Sequence, residues 1–250
     1  MPLTLTGAWM VLPAIVLAGA LIGATGIGGV LLVPVLTTLG GVPLPQAIAA
    51  ASLGFALPAL VALGPLRREP ALLARCAPLL GGALLGAGAG AFLVRWMPGT
   101  ALMAGVTVLV LFSGWRGLRA SATAATHAEV RLAPAALFAV GTLVGMGSAL
   151  TGTGGPVLVL PLLMLLGQPL PFSVVAAQAI QLPVALASST VHAIEGRLEP
   201  RLALLAGLLM LAGSIAGQRA AARLDRLQLQ RLVSLLLLSV GAWFAWLLLS

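Results

Sequence analysis

Apolar runs alternate with short polar or Gly/Pro-rich joints along the whole chain, five runs in each half. In the first half they span approximately Trp9–Thr25, Gly26–Gly40, Pro45–Pro65, Ala71–Val94 and Gly99–Gly117. The second half carries them at approximately Ala133–Ala149, Gly152–Gly167, Pro171–His192, Leu202–Gln218 and Leu232–Leu249. The one sustained polar stretch, 119–131, holds Ser, Thr, His127 and Glu129 and separates the halves. This pattern predicts an all-α integral membrane protein, with repeats at 1–118 and 132–250 joined by the linker 119–131.

The two halves share more than their segment count. Thr25-Gly26-Ile27-Gly28-Gly29 leads into a run that reaches Pro34, and Thr151-Gly152-Thr153-Gly154-Gly155 leads into Pro156 and on to Pro161. Pro43-Leu44-Pro45 corresponds to Pro169-Leu170-Pro171, and Ala50-Ala51-Ser52 to Ala176-Ala177-Gln178. Glu69-Pro70 and Glu199-Pro200 both precede a fourth segment, carrying Gly82-x-x-x-Gly86 in one half and Gly213-x-x-x-Gly217 in the other. The common order of these matches predicts an internal duplication. The Gly-x-x-x-Gly pairs read as packing sites, where small residues let helix backbones approach in lipid.

The second segment of each half is short. Gly26–Gly40 makes a helix of about 22 Å, against a hydrocarbon core of about 30 Å. Joined end to end with the first segment, it is too long for one straight crossing. A broken or re-entrant short helix, entering and leaving by the same face, fits these lengths. Non-helical backbone at that depth is tolerated where protein covers it or where it lines a wet cavity.

Composition supports lipid as the solvent: 60% of residues are hydrophobic and 7% charged, with a mean hydropathy of +1.15. The formal charge of +8 comes from 13 basic residues, all Arg. They lie between the apolar runs, so they are expected to anchor and orient the chain rather than to hold nucleic acid. If each half makes an odd number of crossings, Arg67, Arg68, Arg75, Arg116, Arg119, Arg131, Arg219, Arg223, Arg226 and Arg231 share one face. Arg95, Arg197 and Arg201 then occupy the other. The positive-inside rule makes the first face cytoplasmic, both termini external and the repeats inverted relative to each other. No Lys or Arg precedes the first run, which argues against a cleaved signal peptide.

Inverted halves bring the two glycine turns together near the membrane centre. A half-helix N-terminus offers N–H groups without intrahelical acceptors and the positive end of its dipole. Two such tips make an anion site with no fixed cation. The expected substrate-binding residues are Thr25, Gly26, Gly28, Gly29, Ser52, Ser148, Thr151, Gly152, Thr153, Gly154, Gly155 and Gln178. The competing account is that the glycines serve packing and the hydroxyls bond back to carbonyls. Gln178 and Gln181 either bond between helices or line a pathway, and His192 is either interfacial or part of a gate or proton relay. Trp9, Trp96, Trp115, Trp243 and Trp246 read as interfacial anchors.

Catalysis is not expected. His-Glu-x-x-His, Gly-x-Ser-x-Gly and metal-spaced Cys/His clusters are all missing from the sequence, so no catalytic, metal or cofactor site is expected. The lone Cys76 reads as a small core residue. Every carboxylate (Glu69, Glu129, Glu195, Glu199 and Asp225) lies between the apolar runs, so no intramembrane carboxylate relay is apparent.

The paired glycine turns, the downstream Pro34 and Pro161, the proline joints, the linker and the length together resemble the sulfite exporter TauE/SafE family over essentially the whole chain. The first turn is one residue closer to its proline, and Pro156 stands where a small residue is often seen. The resemblance implies a bacterial inner-membrane, multi-pass permease that exports sulfite, organosulfonates or related sulfur-containing anions. It carries a binding role onto Gly26, Gly28, Gly29, Pro34, Gly152, Gly154, Gly155 and Pro161. The expected partners are the anion and the lipid bilayer, with no nucleic acid; a homo-oligomer is compatible with the sequence. A passive anion channel or a non-transporting assembly subunit is the alternative.

Overall fold

A computed structural model describes residues 5–25, 28–62, 70–119, 132–221 and 226–249. Gly26, Glu69, most of the polar linker and Asp225 lie outside the described residues. Helices account for all regular structure among those described: α1 Leu5–Thr25, α2 Leu32–Pro34, α3 Leu44–Gly54, α4 Ala56–Ala62, α5 Pro70–Leu93 and α6 Gly99–Arg119 in the first half. The second half has α7 Pro134–Thr151, α8 Pro156–Leu165, α9 Leu170–Ala179, α10 Gln181–Ile194, α11 Pro200–Ala221 and α12 Arg226–Leu249. Pro70–Trp96, Pro134–Thr151 and Pro200–Ala220 are long and apolar enough to cross a membrane.

Two segments that read as continuous are broken. The third run of the first half divides into α3 and α4 at Phe55, and that of the second into α9 and α10 at Ile180. Proline explains both breaks. Pro58 and Pro183 lack the N–H that would bond the carbonyls of Gly54 and Ala179 four residues earlier. The chain still runs on helically, with Ala59 N–H bonded to Phe55 O at 3.0 Å and Val184 N–H to Ile180 O at 3.2 Å.

The first short segment is also irregular. It runs as a tight turn Gly28–Leu31, one α turn Leu32–Pro34 and a widened π turn Val35–Leu39. Pro34 supplies no N–H, the Thr38 hydroxyl donates to the Pro34 carbonyl at 2.8 Å, and the Thr37 hydroxyl is shared between Val33 O at 3.0 Å and Pro34 O at 3.1 Å. A helix so interrupted widens, and Gly40 N–H reaches back five residues to Val35 O at 3.1 Å. This segment packs back along α1.

The long helices pair across the two halves. α1 lies against α11, and α5 against α7, while α6 and α12 pack on each other. A Cβ added at Gly82, Gly86 or Gly90 of α5 would collide with the carbonyl oxygens of Phe138, Thr142 or Met146 on α7. Gly141 and Gly145 meet Leu79 and Ala83 of α5 in return. In the other pair Gly213 and Gly217 of α11 abut the carbonyls of Val16 and Ala20 on α1, and Gly19 and Gly23 abut those of Met210 and Ser214. The register that matches Thr25 to Thr151 also matches Val16 to Thr142 and Ala20 to Met146. By contact, Gly213 and Gly217 therefore correspond to Gly86 and Gly90, one turn beyond the sequence match to Gly82 and Gly86. Glycine is required here because each helix's backbone occupies the space of the other's side chains.

Candidate functional site

α7 ends in a left-handed turn. Gly152 caps it at φ +67°, and its N–H bonds Ser148 O. Thr153 N–H bonds the same carbonyl at 3.2 Å. Gly154 follows at φ +80° and Gly155 at φ +102°. Side chains are strained at these angles, which is why a run of glycines can reverse the chain here and reopen it as α8. All residues from Thr151 to Pro156 are buried.

The two glycine turns meet across Phe55. A Cβ at Gly29 would lie 2.6 Å from Phe55 Cε1 and 3.0 Å from Thr153 O, and one at Gly154 would lie 3.0 Å from Phe55 Cδ2. Phe55 is 2% exposed and sits at the α3–α4 break, so that break aims its ring between the turns. Gly152 is held against Val33 and the backbone of Ile48, and Gly155 against Ile180 at the other helix break. The short segment Gly28–Leu39, the α3–α4 and α9–α10 breaks and the α7–α8 turn thus converge on one buried point, with no charged side chain among these contacts.

Ser148, Thr151 and Thr153 form a buried hydroxyl chain beside it. Thr151 Oγ1 donates to Gly147 O at 2.7 Å and lies 3.1 Å from Thr153 Oγ1. Ser148 Oγ and Thr153 Oγ1 are 3.4 Å apart. Because the Thr151 proton goes to the backbone, the Thr153 hydroxyl sits between two oxygens it can donate to, and its proton can turn from Thr151 to an anion. Ser52 Oγ donates to Ile48 O at 2.9 Å, so its proton too is directed to its own helix. For Thr151 and Ser52 the back-bonding alternative describes the hydroxyl protons.

The remaining expected residues are less closely gathered. Thr25 ends α1, with its side chain outside the described residues, as is the whole of Gly26; Gly28 opens the tight turn. Gln178 is half-buried, two residues before the Ile180 break, and Gln181 is buried just after it. Phe55 was not among the residues expected from the sequence. Its signal was an aromatic beside Gly54 three residues before a proline, at the place matching Ile180–Gln181 in the other half. A crevice of about 150 Å³ opens near the turns, walled by Val33, Thr37, Thr38, Leu44, Met103 and Phe244.

A family profile described as "Sulfite exporter TauE/SafE" matches residues 11–244. The chain belongs to this family. No curated protein and no solved structure matches it. TauE/SafE proteins are integral membrane transporters, in keeping with the apolar helices described above and with the resemblance read from the glycine turns.

Proposed function

We propose that this TauE/SafE protein exports small sulfur-containing anions, such as sulfite or an organosulfonate, across a bacterial inner membrane. The observation that carries this reading is the meeting of Gly29 with Thr153 and Gly154 at Phe55. There α8 begins at Pro156, and the amides of its cap Gly155 and of Val157 lie buried at a helix N-terminus, where N–H groups have no intrahelical acceptor. A delocalised oxyanion suits backbone amides and hydroxyls better than a cation does, and nothing in the contact set would repel it.

The halves act as inverted repeats in this account. Reciprocal packing of α1 on α11 and of α7 on α5 supports related halves, and the arginine distribution supports inversion. The short segment Gly28–Leu39 is then re-entrant, folding back along α1 to the face it came from. Buried glycine turns under Phe55 favour a carrier that opens alternately over a pore with a standing passage. Exit of one negative charge from a negative interior releases about 2.3 kcal/mol per 100 mV, so electrogenic efflux needs no carboxylate relay.

A stability screen of purified protein against sulfite, sulfate, thiosulfate, sulfoacetate and taurine tests the substrate class. A ligand that binds the native state raises the melting temperature with its concentration. A dose-dependent rise with sulfite or a sulfonate supports the reading; a flat response to all five contradicts it.

A further inference from the structure

The end of α10 carries a second group of donors. The chain reverses at Gly196, φ +67°, and His192 O accepts N–H bonds from both Arg197 and Leu198, at 2.9 and 3.2 Å. That turn folds Arg197 back over the helix end. Its Nη2 donates to Ala91 O of α5 at 2.8 Å, while Nε and Nη1 are buried without a partner. His192 is 0% exposed, and neither ring nitrogen has a partner. One turn earlier on the same face, Ser189 Oγ is buried and unpartnered as well.

Charge at this end favours an anion. Arg95 is paired with Glu195 at 3.1 Å and stacks on Phe92, its guanidinium carbon 3.8 Å from the ring centroid. Glu199 and Arg201 are exposed, and Glu195, the carboxylate that acts on Arg197, is already bonded to Arg95. Burial lowers the pKa of Arg197; Glu195 acts in the opposite sense, and Arg95 lowers it further. A guanidinium remains protonated through such shifts. Buried donors without acceptors are rare in native structures, and a bound ion is one way in which their bonding is completed.

We propose that Arg197, His192 and Ser189 form a second anion site, taking a small oxyanion such as sulfite or sulfate at the mouth opposite the arginine-rich face. Arg197 supplies the charge-assisted bonds, with the imidazole N–H and the Ser189 hydroxyl beside it. The transport reading enters in the choice of anion and in taking this end as a mouth; the donors themselves are independent of the glycine turns. In an exporter this site would receive the anion released from the turns and hold it before it escapes.

Equilibrium dialysis of purified protein with radiolabelled sulfite, kept anaerobic, and with radiolabelled sulfate tests this. Two equivalents are expected in the parent protein. Arg197→Gln should weaken one by about tenfold or more, the scale expected for removing a charged hydrogen-bonding partner, while Thr153→Val should weaken the other. Glu195→Gln frees Arg95 and should tighten the Arg197 equivalent, and Ser189→Ala should loosen it; neither removes the buried guanidinium, so both serve if Arg197→Gln does not fold. A single equivalent lost in Arg197→Gln but untouched by Thr153→Val would support this site and contradict the turns. Binding unchanged in Arg197→Gln, or in both Glu195→Gln and Ser189→Ala, would overturn it.

Discussion

Phe55 occupies the space that a side chain at Gly29 would need: a Cβ built there lies 2.6 Å from Phe55 Cε1. Gly29 is not among the positive-φ glycines, so the neighbouring ring, rather than its backbone angles, demands glycine. Gly29→Ala is therefore expected to destabilise the protein by about 1–3 kcal/mol through overpacking. Phe55→Leu in the same chain should recover most of that loss. A double-mutant cycle on thermal stability reads the coupling; additive effects would contradict the contact.

The glycine packing predicts a contrast within one helix. Gly86 abuts the Thr142 carbonyl, whereas a Cβ at Gly88 would meet nothing within 4 Å. Gly86→Ala should lower the melting temperature and the monodisperse yield, and Gly213→Ala should do the same through Val16. Gly88→Ala should leave both measurements unchanged. Equal effects at positions 86 and 88 would remove close packing as the reason for these glycines.

Thr153 links the other two hydroxyls of the second turn. Thr153→Val should weaken sulfite binding by about 1–2 kcal/mol, the order of a lost buried hydrogen bond. Thr151→Val should do less to the anion, because its proton already goes to Gly147 O. Isothermal titration calorimetry of both variants checks the order, and equal affinity in the parent and Thr153→Val would exclude that hydroxyl from the site.

Much of this was legible in the sequence, for physical reasons that differ from element to element. Long apolar runs such as Pro70–Leu93 leave a helix few alternatives in lipid, so their bounds fall within a few residues of the pattern. The glycines of the second turn showed where backbone takes left-handed angles. Hydropathy could not show the breaks at Phe55 and Ile180, because Pro58 and Pro183 interrupt one hydrogen bond without interrupting the apolar run. The widening at Val35–Leu39 depends on hydroxyls bonding to Pro34, which a count of apolar residues does not register. Phe55 escaped notice because its role comes from a contact between distant segments.

The arginine distribution predicts which face each loop takes. Cys76 is buried and its replacement by Ala leaves a thiol-free background. In intact cells a membrane-impermeant thiol reagent should label Glu199→Cys and spare Arg119→Cys; both positions are exposed and lie on the opposite faces assigned to Arg201 and Arg119. The reverse labelling pattern would invert the topology.

The most direct measurement is sulfite flux in proteoliposomes under an imposed potential, with the pH gradient held at zero. The account predicts flux above that of protein-free vesicles, directed away from the negative compartment, rising with the potential and reduced in Thr153→Val. Flux no greater than in protein-free vesicles, or flux indifferent to potential and driven by the pH gradient alone, would contradict it.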